Sequence, residues 1–248
     1  MRAWLLDDIK GPESLRLGEV ADPVPGPGEV LVDLKMAGLN HLDLFVTNGL
    51  PAPKAFPHIP GADGAGVISA VGEEVSDWDP GDEVVIHPSI SCGHCDRCLR
   101  DEIVFCKSFT ILGEKLPGTM AERIALPAVN VFRRPGDIDW PVAGTFGLAT
   151  GTAFRMLSRA RLQKGETVLV VGVGGGVSSA ASLIAMARGA RVFVTSRSPE
   201  KIAWAVSHGA EAGFDSSGEF SKELRAAAGS GANVVIENVG LPTWNQSM

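Results

Sequence analysis

The sequence predicts an α/β chain in two parts, a mostly β first half and a second half in which parallel strands alternate with helices. Three observations predict it. The first half is punctuated by Pro and Gly at short intervals, with strand-like alternation between them. From Thr167 onward, short apolar β-branched runs alternate with Ala-rich or amphipathic stretches. All four cysteines are confined to the stretch from Cys92 to Cys106.

In the first half, Glu29 to Lys35 (EVLVDLK) and Glu83 to His87 (EVVIH) alternate as strands do. Pro25-Gly26-Pro27-Gly28 and Pro80-Gly81-Asp82 supply the turns before them. This β part is expected to span residues 1–127, and the α/β part residues 128–248. In the second part, Thr167–Val171 reads as a buried parallel strand. A glycine cluster follows, then a helix over Ser178–Arg188. Arg191–Thr195 is the second strand, and Pro199–His208 a helix stopped by Gly209. Glu211–Asp215 is a third strand, Glu219–Ala228 a helix and Asn233–Glu237 a fourth strand.

Composition narrows the function. The chain has 248 residues, 45% of them hydrophobic and 21% charged, as in ordinary globular domains. The net charge of −7 argues against a nucleic-acid partner, which requires a basic face. Met1 to Lys10 lacks the form of an export signal, and no run approaches the roughly 18 apolar residues of a membrane helix. A cytoplasmic protein without a membrane partner is expected. Its cysteines are then thiols or metal ligands.

The pattern Cys92-x2-Cys95-x2-Cys98-x7-Cys106 suits a closed tetrahedral shell for one structural zinc. Iron–sulfur runs have a shorter last gap and a following proline, whereas Lys107 follows here. Four free thiols are the alternative, and His94 inside the loop is expected to be a spectator. Gly172-Val173-Gly174-Gly175-Gly176-Val177-Ser178 lies between a strand and a helix, where a dinucleotide pyrophosphate docks on backbone N–H groups. Val177 stands where a strict G-x-G-x-x-G has its last glycine, and Ser178 is small enough to pack there. A plain tight turn is the alternative. The second strand ends in Thr195-Ser196-Arg197-Ser198, with no carboxylate for a ribose 2′-hydroxyl. Ser196 and Arg197, with Lys201 a turn later, suit a 2′-phosphate, and so NADP(H) over NAD(H). The alternative is that Arg197 is a solvated surface arginine.

The order of these features, together with Gly38-Leu39-Asn40-His41-Leu42-Asp43, Pro60-Gly61-Ala62-Asp63-Gly64 and Val71-Gly72-Glu73-Glu74-Val75, resembles the medium-chain dehydrogenase/reductase superfamily. The resemblance implies a GroES-like domain followed by a Rossmann domain, here partial. It also implies a catalytic zinc in the alcohol dehydrogenases, held by cysteine, histidine and cysteine. Those three places hold Asn40, Ala62 and Phe146 in this chain, and the hydroxyl of the alcohol proton relay is replaced by Leu42. The pattern is similar to the zinc-independent branch of quinone oxidoreductases and acryloyl-CoA-type reductases, whose Asn-x-x-Asp signature is Asn40 and Asp43. An arginine often found after that signature is Thr47 here.

The resemblance implies an NADPH-dependent reductase of activated C=C bonds or quinones acting on a small molecule. It gives Asn40 and Asp43 catalytic-site roles. His41 falls at the pyrophosphate and Thr150 at the nicotinamide, with Gly172, Gly174, Gly175, Gly176 and Val177 forming the cofactor loop. Asp63 reads as a structural carboxylate. A zinc-type alcohol dehydrogenase and an inactive or regulatory nucleotide-binding fragment are the competing expectations. The second rests on the chain stopping at Met248, after four strands of an expected six. The family's homodimer or tetramer is set against those missing strands.

Overall fold

The structure, a computed structural model, describes residues 1–248 and divides into two compact units, Met1–Leu148 and Ala149–Met248.

The first unit is built on antiparallel strands. A hairpin of β1 (Arg2–Leu6) and β2 (Leu15–Glu19) precedes β3 (Glu29–Gly38), the short helix α1 (His41–Thr47), β4 (Asp63–Val71) and β5 (Glu83–Ile86). The small pair β6 (Ser89–Ile90) and β7 (Thr110–Ile111) brackets the cysteine loop. β8 (Arg123–Pro127), β9 (Val131–Arg133) and helix α2 (Trp140–Ala143) complete the unit. The main sheet runs β8-β3-β4-β5-β9. Alternation in β3 turns Val30 and Val32 inward, where they meet Ile68, Val84, Ile86 and Leu126. Each such buried side chain contributes roughly 1.5–3 kcal/mol.

The boundary falls at 148/149, which corrects the expected division at 127/128. β9 zips onto β5, with Val84 opposite Arg133 and Ile86 opposite Val131. Ala143 of α2 is buried with Ala65 and Val85. Val131 and Ala143, from the segment 128–148, are therefore buried in the β unit.

The second unit opens with α3 (Gly147–Arg159), which begins at the boundary. Then come β10 (Thr167–Val171), α4 (Gly176–Ala187), β11 (Arg191–Ser196), α5 (Pro199–Ser207), β12 (Ala212–Asp215), α6 (Phe220–Ala228), β13 (Val234–Glu237) and α7 (Leu241–Ser247). The strands lie in the order β12-β11-β10-β13, all parallel. That is the 3-2-1-4 start of a doubly wound sheet. Every residue of β10 is buried, because helices cover both faces. Val168 and Val170 pack with Leu157 and Ala181 on one face, and Leu169 and Val171 with Phe193, Phe220 and Leu224 on the other. Helix α4 starts at Gly176, two residues before the sequence pattern suggests, so Gly176 and Val177 form its first turn. No helix is long and apolar enough to cross a membrane.

Candidate functional site

The cysteine loop converges as its spacing predicts. The Cys92, Cys95, Cys98 and Cys106 sulfurs lie within 4.8 Å of one another. The closest pairs are Cys92–Cys106 at 3.5 Å, Cys95–Cys98 at 3.6 Å and Cys92–Cys98 at 3.9 Å. A disulfide has sulfurs about 2.05 Å apart. Four thiolates at about 2.3 Å from one tetrahedral zinc have sulfurs about 3.8 Å apart. The donor set therefore fits a closed four-sulfur ion site. Two 3-10 turns, Cys98–Arg100 and Ile103–Phe105, shape the loop. The backbone N–H groups of His94 and Cys95 aim at the Cys92 sulfur and lower its pKa.

The glycine loop joins β10 to α4. Gly172 and Gly174 have φ of 78° and 102°, the region glycine favours. A Cβ on Gly174 would lie 2.3 Å from Cδ of Lys201, so the lysine stem crosses directly over the loop. Gly174, Gly175 and Gly176 are exposed, and no side chain caps the N-terminus of α4. The loop is tied to β11, with the Gly172 N–H donating to Thr195 Oγ1 at 3.2 Å and the Val173 N–H to the Thr195 carbonyl at 2.8 Å.

Ser178, in the last place of the motif, is buried. Its hydroxyl donates to the Val171 carbonyl at 3.3 Å and accepts from Asn238 Nδ2 at 2.9 Å. Sequence reasoning missed Asn238, because its partner lies 60 residues away along the chain. At the end of β11, Arg197 and Lys201 are exposed, and neither is engaged in an ion pair. Ser196 is mostly buried, and its oxygen accepts from the Ser198 N–H at 3.2 Å. The open charge at this strand end is therefore carried by Arg197 and Lys201. Thr150 is half-buried on α3.

In the first unit, Asn40 caps the start of α1 and is held from two sides. Its backbone N–H donates to Asp43 Oδ2 at 2.7 Å, and its Nδ2 donates to Asp63 Oδ2 at 3.0 Å. Asp63 also accepts from the Leu148 N–H at 2.6 Å through Oδ1. Burial pushes both carboxyls above the usual carboxylate range, and the charge of Asp63 adds to the rise at Asp43. Hydrogen bonds from Asn40 act against both shifts. Asn40, His41 and Asp43 line one wall of a cavity of about 1040 Å³, with Trp4, Leu17 and Leu39 among its apolar lining. Thr47 is buried, and its hydroxyl donates to the Leu44 carbonyl.

The three places that would hold a catalytic zinc do not fit one. Ala62 is fully buried and has no donor atom, Phe146 is an exposed apolar ring, and the Asn40 amide is committed to Asp63. The one convergence of three or more His, Cys, Asp or Glu donors is the cysteine loop.

Residues 26–136 match the alcohol dehydrogenase GroES-like domain family, and residues 176–248 the zinc-binding dehydrogenase family. The acryloyl-coenzyme A reductase of Metallosphaera sedula is 34% identical over 97% of this chain and 71% of its own length. The chain belongs to the medium-chain dehydrogenase/reductase superfamily. Members of this superfamily similar to the chain also include a zinc-type alcohol dehydrogenase-like protein of Schizosaccharomyces pombe, 36% identical over 100% of the chain and 72% of its own length. A crystal structure of an NAD-dependent alcohol dehydrogenase superposes with a TM-score of 0.97, at 41% identity, over 100% of this chain and 73% of that one. As a medium-chain oxidoreductase the chain thus has relatives on both the reductase and the alcohol dehydrogenase side. Its own residues must decide between them.

Proposed function

We propose that the chain is an NADPH-dependent reductase of small molecules carrying a C=C bond conjugated to a carbonyl, or of quinones, and that it works without a catalytic metal. The observation that carries this reading is the replacement of the zinc ligands by Asn40, Ala62 and Phe146, with the Asn40 amide bonded to Asp63. Without a Lewis acid on its oxygen, an alcohol gives up hydride less easily. Reducing an activated alkene needs none, because the carbonyl already accepts the developing charge.

The N–H groups of the loop from Gly172 to Val177 would hold the pyrophosphate, and Arg197 and Lys201, beside Ser196, the 2′-phosphate. Thr150 supports the nicotinamide. NADPH, when bound, supplies the hydride that ends on the β carbon. The α carbon then takes a proton from water or a side chain, giving the saturated carbonyl and NADP⁺. Asn40 contacts the substrate, and Asp43 fixes the Asn40 backbone. Cys92, Cys95, Cys98 and Cys106 would hold one structural zinc that takes no part in the reaction.

The test is consumption of NADPH with methyl vinyl ketone, acryloyl-CoA and 1,4-benzoquinone, set beside reduction of NADP⁺ or NAD⁺ by ethanol. Turnover with at least one of the first three and none with ethanol is expected. Alcohol oxidation alone would overturn the proposal.

A further inference from the structure

The parallel sheet of the second unit reverses its strand order between β10 and β13. In doubly wound sheets the ligand crevice opens at that reversal, beyond the carboxyl ends of the strands. Register sets its two sides. Val171, the last residue of β10, pairs with Glu237, the last residue of β13. Gly172 and Asn238 are therefore the first residues beyond the sheet on either side. The glycine loop leaves from one, and the turn 238–240 that leads into α7 from the other.

Two contacts join these segments. Asn238, though exposed, donates through Nδ2 to Ser178 Oγ at 2.9 Å. Ser178 is free to accept because its own proton goes to the Val171 carbonyl. A glycine in the last place of the motif would have no side chain to accept this bond. The second contact is apolar. A Cβ on Gly172 would lie 2.6 Å from Cγ2 of Val239, so the valine lies against the open side of Gly172. Val239 nevertheless stays half-exposed. From the other end the turn is anchored by Glu237, whose Oε1 accepts from the Val239 N–H at 2.7 Å and the Gly240 N–H at 3.0 Å.

We infer that Asn238 is a positioning residue for the nicotinamide half of the dinucleotide. Through Ser178 it holds the turn, and Val239 with it, as the wall of the crevice that faces the glycine loop. The inference rests on the proposed binding of NADPH and deepens it, by giving the two halves of the cofactor different walls. The adenosine half lies over β10 and β11, toward Arg197 and Lys201. The other half crosses the pyrophosphate site toward β13, where the half-exposed valine offers an apolar surface. Freed from Ser178, the turn keeps only its Glu237 anchor at that side. The cost of ordering it is then taken from cofactor binding.

Calorimetric titrations of NADPH, and of 2′,5′-ADP as its adenosine half, test this. The proteins are the wild type, Asn238→Ala, Ser178→Ala and the double variant. Asn238 is exposed, so its alanine variant keeps the fold. Asn238→Ala should weaken NADPH binding about 3- to 10-fold, the worth of one hydrogen bond, and leave 2′,5′-ADP binding unchanged. The double variant should bind NADPH as weakly as Ser178→Ala alone, because without the serine hydroxyl Asn238 has nothing to hold. A loss shared equally by NADPH and 2′,5′-ADP would mean that Asn238 only stiffens the glycine loop, and would overturn the inference. Unchanged NADPH affinity in Asn238→Ala, or losses that add in the double variant, would overturn it as well. Should NADH bind more tightly than NADPH, the same split is read with NADH and ADP. A wild type that binds neither dinucleotide overturns the cofactor reading itself, and the inference with it. The other contrary results leave cofactor binding intact and overturn the inference alone.

Discussion

Arg197→Ala should weaken NADPH binding by about 10- to 100-fold, the worth of a charge-assisted bond to phosphate, and leave NADH binding unchanged. Arg197 is exposed beyond the last residue of β11 and pairs with no carboxylate. Its guanidinium is thus free to form a two-pronged contact with a ligand phosphate. Lys201→Ala should act in the same direction with a smaller effect, since an ammonium is a point charge. It should also loosen the loop slightly, because the Lys201 stem covers Gly174. Fluorescence titration with both nucleotides checks these outcomes. Equal affinity for NADPH and NADH in the wild type, unmoved by Arg197→Ala, would remove the basis for NADPH preference. NADH is the necessary comparison, because the structural neighbour at 41% identity is an NAD-dependent enzyme.

The second large effect concerns the cysteine loop. Cys98→Ser, or removal of the ion by a strong chelator, should lower the melting temperature of the first unit by on the order of 10 °C, as loss of a metal costs about 4 kcal/mol or more. The Cys98 sulfur lies 3.6 Å from Cys95 and 3.9 Å from Cys92 and is mostly buried. Without an ion, the four sulfurs lose the metal bonds that would tie the loop into one closed shell. NADPH affinity should not change, because the loop belongs to the first unit and the glycine loop to the second. Thermal melts with and without chelator decide it, and an unchanged melting point would mean that the four thiols bind nothing.

Much of the fold could be read from local pattern, for identifiable reasons. The strand at Thr167–Val171 is announced by its own β-branched residues, and the structure places it there without shift. The cysteine loop is legible because its ligands are close in sequence. The empty zinc positions are legible because Asn40, Ala62 and Phe146 fall in motifs of fixed order. Non-local pairing was not legible. β9 is three residues long and gains its meaning only from β5, so the domain boundary read from composition fell too early. The bond from Asn40 to Asp63 spans 23 residues and depends on the register of β3 against β4, which no local pattern states. Asp63 therefore read as a structural carboxylate, although it holds a residue that lines the cavity.

The central claim is that the reaction site holds no metal. It is tested most directly by counting zinc per chain in the purified protein and following NADPH consumption with an activated alkene or quinone in that same sample. One zinc per chain, and turnover at that stoichiometry, are expected. Two zinc ions per chain, with activity that rises as the second is added, would contradict it.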